Sequence, residues 1–117
     1  SKIENPKSKM RQMGVVYIGS YRRAGRLLPR RAAGLRAGVV VLKPGEIMEW
    51  HSTDVREELL LLLKGWVRVE IGSLRRAHRS FHLRDGQGLF LPQHTRHRVV
   101  NSSTRLVRYI YITAPAK

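Results

Sequence analysis

The chain contains no cysteine, which excludes disulfide bonds, thiolate metal ligands and a cysteine nucleophile. It also lacks a long apolar run, because the leucines at 59–63 cover only a strand's length, whereas a membrane helix needs roughly 20 apolar residues. Its first dozen residues are polar and basic, without the apolar centre of a secretory signal. These absences are typical of a cytoplasmic protein that does not enter the membrane.

Acidic residues are scarce as well: 8 Asp and Glu stand against 23 Lys and Arg in 117 residues, which gives a formal net charge of +15. The basic residues are scattered along the whole chain, a pattern that favours a solvated basic surface. Any binding to nucleic acid is therefore predicted to be non-specific and electrostatic. The arginine-rich segment 22–31 contains no aromatic residue on which a base could stack, and its role stays open.

A chain of this length predicts a single domain. Residues 1–13, with Pro6 and alternating lysines, are interpreted as a flexible basic arm, and residues 14–117 as one β-barrel domain. From Gly14 onward, short β-favouring runs alternate with turn residues, which predicts an all-β sandwich or barrel. The candidate strands are 15–18, 37–42, 47–50, 58–63, 66–71, 79–83, 88–91, 97–100 and 105–112.

The two strands in the middle of the chain predict both a local turn and an assembly. Residues 58–63 and 66–71 flank Lys64 and Gly65, so we expect them to pair as a tight hairpin. The leucine strand does not alternate with polar residues, and a strand that is apolar on both faces must be covered on both. Together with the apolar run 15–18, it predicts a homodimer in which both segments are partly buried between subunits.

Two histidine-containing clusters carry the candidate chemistry. His51 and Glu58 lie at the two ends of a turn that joins strands, and His97 begins a separate strand after a loop fixed by Pro92. If a barrel brings them together, two imidazoles and one carboxylate surround one point and leave positions open for water or substrate. Such a set suits iron(II), manganese, nickel, cobalt or zinc. The alternative is that His51 is a hydrogen-bonded histidine at the barrel mouth and that Glu58 pairs with an arginine.

The first cluster resembles the first motif of the cupins, which are small jelly-roll β-barrels. That motif consists of a glycine, a His-x-His pair, a glutamate and a second glycine at fixed spacing. Its positions are matched by Gly45, His51, Glu58 and Gly65, with Thr53 in the place of the second histidine.

The second cluster resembles the second cupin motif, in which a glycine, a Pro-x-Gly turn, a histidine and an asparagine follow one another. Its positions are matched by Gly86, Pro92, His97 and Asn101, with His94 in the place of the second glycine. The resemblance covers roughly residues 41–113. It implies an all-β, cupin-like jelly-roll barrel of antiparallel strands.

The resemblance also implies that His51, Glu58 and His97 are ligands of one divalent transition metal inside the barrel. It does not carry over to Thr53, because a hydroxyl is a poor neutral ligand beside imidazole. The site then binds metal through three protein ligands, recruits His94, or has lost its metal. His94 is interpreted as a loop residue or as a support for a ligand rather than as a ligand itself.

The function implied by the resemblance is that of a metal-dependent enzyme of the isomerase or dioxygenase type, acting on a small molecule. A chain rich in arginine suits an anionic substrate, such as a carboxylate or a sugar phosphate, with Arg56 or Arg96 near the mouth as anchors. The alternative is a cupin that binds or senses a small ligand without catalysis, which the missing second histidine favours. Fold alone does not decide between them.

Five large apolar or aromatic residues are interpreted as core residues first, with a pocket role left open. They are Met48, Trp50, Phe90, Tyr109 and Tyr111.

Overall fold

The computed structural model describes residues 16–73 and 76–117, which form nine β-strands and no helix. The predicted arm at 1–13 and the first residue of the predicted strand 15–18 lie outside the described residues. No helix long and apolar enough to cross a membrane is found in the described part of the chain. The strands are β1 (Gly25–Arg26), β2 (Arg36–Leu42), β3 (Ile47–Ser52), β4 (Arg56–Lys64), β5 (Trp66–Ser73), β6 (Arg76–Arg84), β7 (Gly88–Leu91), β8 (Arg96–Val100) and β9 (Val107–Pro115).

The strands form two antiparallel sheets. One has five strands in the order β1-β2-β9-β4-β7, and the other has four in the order β3-β8-β5-β6. Because β3, β4 and β5 follow one another in sequence but alternate between the sheets, the chain crosses repeatedly from one sheet to the other, as in a jelly roll. The prediction of an all-β jelly roll is confirmed, in the form of a two-sheet sandwich rather than a closed barrel.

The core lies between the two sheets and follows the alternation of the strands. Leu60 and Leu62 of β4 point inward from the five-stranded sheet, and Val67 and Val69 of β5 point inward from the four-stranded sheet. The intervening Leu59 and Leu61 lie on the outer face of β4, where Leu59 is 36% exposed. The interpretation of β4 as apolar on both faces is therefore correct.

The predicted hairpin of residues 58–63 and 66–71 is wrong. β4 pairs with β7 and β9, whereas β5 pairs with β6 and β8 in the other sheet. Gly65 is the corner between them, with a φ of 92° that an L side chain rarely adopts. A Cβ at this position would also approach Cγ2 of Val107 to 3.0 Å. A glycine between two strands predicts a sharp turn, but it does not determine whether the strands then pair or separate into different sheets.

The predicted strand at 15–18 is wrong over its described residues, which form no strand. Val16 and Ile18 are 90% and 96% exposed. Within the described residues, the first strand lies inside the arginine-rich segment, where β1 pairs with β2 and adds an edge to the five-stranded sheet.

Asn101 fixes the connection between β8 and β9. Its side chain is fully buried, and its Nδ2 donates to the carbonyl oxygens of Leu42 at 3.0 Å and Arg105 at 2.8 Å. Its Oδ1 accepts from the backbone N of Ser103 at 3.0 Å and from the Ser103 hydroxyl at 2.6 Å. A buried amide with these partners joins the end of β8 to the end of β2 across the two sheets.

Glu70 lies on the outer face of the four-stranded sheet between two arginines. Its Oε2 accepts from Nε of Arg68 at 2.7 Å, and its Oε1 accepts from Nε of Arg98 at 2.6 Å. Burial by itself would raise the pKa of Glu70, but the hydrogen bonds and charges of Arg68 and Arg98 together hold that pKa below its ordinary value.

The Glu70→Gln variant should lower the free energy of unfolding at neutral pH by roughly 1 kcal/mol, because two charge-assisted hydrogen bonds are lost. The folded-state pKa of Glu70 lies below its ordinary value of 4.5, so this stabilisation is present above that pH and is lost as the pH falls through the folded pKa. Urea titrations of both proteins at neutral pH and at a series of lower pH values measure the difference. A difference that does not shrink as the pH falls contradicts the assignment, and Glu57→Gln is the control for loss of an exposed carboxylate.

Candidate metal centre

Three side chains from both sheets meet at one end of the core. His51 of β3 lies opposite His97 of β8 in the strand register, with ring centroids 4.3 Å apart. Glu58 of β4 reaches across from the five-stranded sheet, and its Oε1 is 3.5 Å from Nε2 of His97. The candidate ligand atoms of the three residues all lie within 4.8 Å of one another. The structure thus brings together the residues that the sequence singled out, and their role as metal ligands stays a prediction.

A β-bulge aims His51 at this point. Met48 faces Val99 and His51 faces His97, so three residue steps on β3 correspond to two on β8. In a regular strand, Met48 and His51 would point to opposite faces. The extra residue places both on the inner face and leaves Trp50 outside, beneath the guanidinium of Arg98 at 5.1 Å from the ring centroid. The sequence showed the histidine but not the bulge.

Backbone carbonyls orient both imidazoles. Nδ1 of His51 lies 2.7 Å from the carbonyl oxygen of Glu49, and Nδ1 of His97 lies 3.0 Å from that of Thr95. A carbonyl only accepts, so each Nδ1 carries a proton and each Nε2 is the ring nitrogen left without a backbone partner. Nε2 of His97 is buried and has no hydrogen-bond partner. Such orphaned polar atoms are rare in folded proteins, and a metal ion is a partner that fits a neutral imidazole nitrogen.

Burial sets the protonation of the two deepest residues. It raises the pKa of Glu58, against the opposing effect of His51. It lowers the pKa of His97, against the opposing hydrogen bond to the Thr95 carbonyl. His97 therefore keeps a free lone pair at neutral pH, whereas an ionised Glu58 is costly unless a cation lies beside it. A neutral imidazole and a carboxylate that favours a neighbouring cation match the needs of a divalent metal.

The Thr53 hydroxyl takes part in hydrogen bonds that connect two loops. Its hydroxyl donates to the carbonyl oxygen of Pro92 at 2.7 Å and accepts from the backbone N of Thr95 at 2.9 Å. The hydroxyl thereby holds the β7–β8 loop against the β3–β4 turn, and it fixes Thr95, whose carbonyl orients His97. The sequence indicated that Thr53 is a poor ligand but gave no sign of this loop contact.

Of the other predicted site residues, Arg56 lines the cavity that opens onto the centre, whereas His94 and Arg96 do not. His94 is exposed, adopts a φ of 57° and contacts the β3–β4 turn through its backbone N, which donates to Asp54 O at 2.7 Å. Nε of Arg56 donates to Oγ1 of Thr113 at 2.8 Å, and its Nη2 donates to Gly34 O at 2.5 Å. The guanidinium of Arg96 lies over the outer face of Trp50, 5.6 Å from the ring centroid.

A cavity of about 590 Å³ opens onto the three candidate ligands. Its walls include Met48, Tyr109 and Tyr111, whereas Trp50 and Phe90 do not line it. Burial first, and then the charge of Glu58, raise the pKa of Tyr109 well above its ordinary value, so its phenol stays protonated. Arg36 also lines the cavity. The sequence analysis missed it, although the alternation of β2 places it on the same face as Val40 and Leu42.

Comparison with known proteins agrees with this architecture. The model of the family described as "Cupin domain" matches residues 38–113. Protein SchB of Streptomyces halstedii is 31% identical over 67% of this chain and 53% of its own length. Polyketide synthase CurC of Streptomyces cyaneus is 28% identical over 67% of this chain and 47% of its own length. The chain therefore spans about half the length of these curated relatives.

Among solved structures, the cupin domain of Schizosaccharomyces pombe Cnp3 superposes with a TM-score of 0.68. The match covers 80% of this chain and 60% of that one at 17% identity, a level that shows a shared fold alone.

We expect the full chain to bind one divalent transition metal, and His51→Ala or His97→Ala to weaken that binding by more than about 100-fold, because each removes a candidate ligand. Iron(II), manganese, nickel, cobalt and zinc are offered in turn, and binding is measured by calorimetry and elemental analysis. Metal at about 100 times its Kd should stabilise the wild-type fold by about 2.7 kcal/mol and the His97→Ala variant hardly at all.

Two variants separate ligation from general damage to the fold. His82→Ala removes an exposed histidine beside Trp66 and should leave metal binding unchanged. Thr53→Val removes the loop contact and should lower thermal stability while metal still binds. Wild-type protein that takes up none of the five metals, or a His97→Ala protein that binds them equally well, contradicts the assignment.

Proposed function

The chain belongs to the cupin domain family, and from this premise we propose that it is a metal-dependent enzyme that acts on an anionic small molecule. The observation that carries the proposal is the convergence of His51, Glu58 and His97 on a cavity of about 590 Å³. Two imidazoles and one carboxylate form the donor set of iron(II) enzymes that keep coordination positions open. A cavity of this volume suits a small molecule rather than a macromolecular segment.

In this proposal, the residues around the cavity have three separate roles: metal binding, hydrogen bonding and charge compensation. Nε2 of His51, Nε2 of His97 and a carboxylate oxygen of Glu58 would hold the metal, which when bound supplies Lewis-acid activation of a ligand oxygen. Tyr109, whose raised pKa keeps its phenol protonated, donates a hydrogen bond toward negative charge in the cavity. Arg36 supplies a positive charge at the wall for an anionic group.

The name of one relative adds support for small-molecule chemistry. CurC is named a polyketide synthase, and polyketides are small molecules. The reaction type proposed here, isomerisation or dioxygenation, rests on the donor set and on the family.

The alternative is a cupin that binds a small ligand without catalysis. Thr53 favours this reading, because its hydroxyl is engaged by Pro92 and Thr95 at the position where a second histidine would stand. The centre then has one protein ligand fewer than the family motif.

Open coordination positions distinguish a reactive centre from a saturated one. We expect the iron(II)-loaded protein, prepared without oxygen, to bind nitric oxide and to give the EPR signal of a high-spin ferrous nitrosyl, since three protein ligands leave positions free. The metal-loaded protein is then incubated with small carboxylates and sugar phosphates, and conversion is followed by NMR. Conversion that is lost in Glu58→Gln supports an enzyme. Ligand binding without conversion supports the binding protein, and the absence of a nitrosyl signal contradicts open coordination.

We further propose that two copies of the chain associate through the outer face of the five-stranded sheet. The register places Leu59 beside both Ile112 and Phe90, and Leu61 beside Ile110, so one apolar surface crosses three strands. Phe90 is 56% exposed on this face. Chains with a net charge of +15 repel one another, and an exposed apolar patch provides surface whose burial opposes that repulsion. A face that packs on its own copy also suits a two-fold dimer.

Light scattering at micromolar concentration should therefore give twice the mass of the chain. Phe90→Lys and Leu59→Lys should shift the mass toward that of a monomer, because each buries an unpaired charge in the apolar contact. Ile47→Lys, at an exposed apolar position of the other sheet, serves as the matched control and should remain dimeric. A monomeric wild-type protein, or a monomer only for the control variant, contradicts this interface.

A further inference from the structure

A second cavity, of about 330 Å³, lies at the start of β2 and is rich in positive charge. Three arginines line it: Arg26 from β1, Arg30 from the following loop and Arg36 from the first position of β2. The remaining lining residues, all within the described part of the chain, are alanines, leucines and Tyr111, so no carboxylate neutralises the arginines there. We call this cavity the arginine pocket.

The loop that carries Arg30 is tied down along its length. At its beginning, the backbone N of Leu27 donates to Ala37 O at 2.9 Å. In its middle, Ala32 N donates to Pro29 O at 3.0 Å and closes a turn. At its end, Nη2 of Arg56 donates to Gly34 O. The segment 28–35 is therefore held against the edge of the five-stranded sheet, and the three guanidinium groups are brought to one place by fixed backbone.

Three like charges around one apolar-walled cavity repel one another, and a bound anion removes that repulsion. A guanidinium presents paired N–H donors that match two oxygens of a phosphate or carboxylate group. Nη2 of Arg26 donates one long hydrogen bond, 3.4 Å, to Pro29 O, and the other N–H donors of this guanidinium are available to a ligand.

The arginine pocket is adjacent to the candidate metal centre. Arg36 and Tyr111 line both the arginine pocket and the larger cavity, so the two cavities share a wall. A ligand held at Arg36 from one side lies next to the space that contains His51, Glu58 and His97.

We propose that the arginine pocket binds the oxyanion end, a phosphate or a carboxylate cluster, of the small molecule whose other end lies in the metal-centre cavity. This assignment rests on the proposed function, because it names the substrate as an elongated molecule with a terminal oxyanion. It also gives a task to the arginine-rich segment 22–31, which two of the three arginines belong to.

The test uses the full chain and three probes: inorganic phosphate, pyrophosphate and citrate, titrated by calorimetry at physiological salt. Pyrophosphate or citrate should bind, and Arg26→Ala and Arg30→Ala should each weaken binding about tenfold, the effect of losing one charge-assisted contact. Arg105→Ala is the matched control. It removes the same charge from an exposed loop at the opposite end of β2, and it should change affinity less than about twofold. Preference for pyrophosphate over citrate identifies a phosphate ligand, and the reverse identifies a polycarboxylate.

The same titration in His97→Ala separates this proposal from the proposed function. Retained pyrophosphate or citrate binding in a variant that no longer binds metal supports the arginine pocket even if the metal assignment fails. Equal losses for Arg30→Ala and Arg105→Ala would mean attraction of anions by net charge alone and would overturn the pocket. A single-stranded oligonucleotide that displaces the probe from the wild-type protein, and that no longer binds Arg26→Ala or Arg30→Ala, would also overturn the proposal in favour of a nucleic-acid site.

Should Arg30→Ala fail to fold, Arg30→Gln preserves the length of the side chain and is judged by the same affinity ratio. Amide and ring resonances of Tyr111 provide a second measurement, because this residue lines both cavities. They should shift on addition of the probe, and an unchanged Tyr111 with a saturating probe contradicts the shared wall.

Discussion

The desolvation of polar groups between the two sheets is the constraint on which the site depends. His97 and Glu58 are almost fully buried, and Nε2 of His97 has no hydrogen-bond partner. Such a pair is unfavourable in an apolar core unless something compensates for the lost water. Two local features hold this arrangement in place. Backbone carbonyls orient the two imidazoles, and the β7–β8 loop is hydrogen-bonded to the β3–β4 turn. This unfavourable free energy at one end of the core supports the proposal of a metal site.

The support for His97 extends outward through a short chain of contacts. The Thr53 hydroxyl fixes Thr95, and the Thr95 carbonyl fixes the ring of His97. A residue that departs from the family motif thus still acts on the centre, through the backbone rather than through coordination. Arg56 both supports the fold and lines the cavity, because its guanidinium donates to Gly34 O while the residue forms part of the cavity wall. Polar side chains near the cavity therefore also hold the surrounding loops in place.

The sequence predicted the fold class and the residues that come together at the site, but it did not predict correctly how neighbouring strands pair. The positions of His51, Glu58 and His97 in spaced motifs sufficed to place them together, because those spacings reflect turns and strand lengths. The hairpin at Gly65 was wrong because period-two patterns describe a strand's faces and carry no information on its neighbours. Arg36 was missed because a single basic residue at a strand start looks like an ordinary surface charge until the opposite wall of the cavity is known.

The bulge in β3 makes the centre depend on the pairing register of that strand as well as on the identity of its side chains. One extra residue between Met48 and His51 is what turns the imidazole inward. Smoothing the bulge into a regular strand of the same residues would send the histidine to the solvent side and turn Trp50 inward in its place, with no change in any ligand's chemistry. Deleting one residue between Met48 and His51 would have the opposite effect, because two residues that are two positions apart share a face without a bulge. The site is therefore encoded in the parity of one short spacing as well as in its side chains.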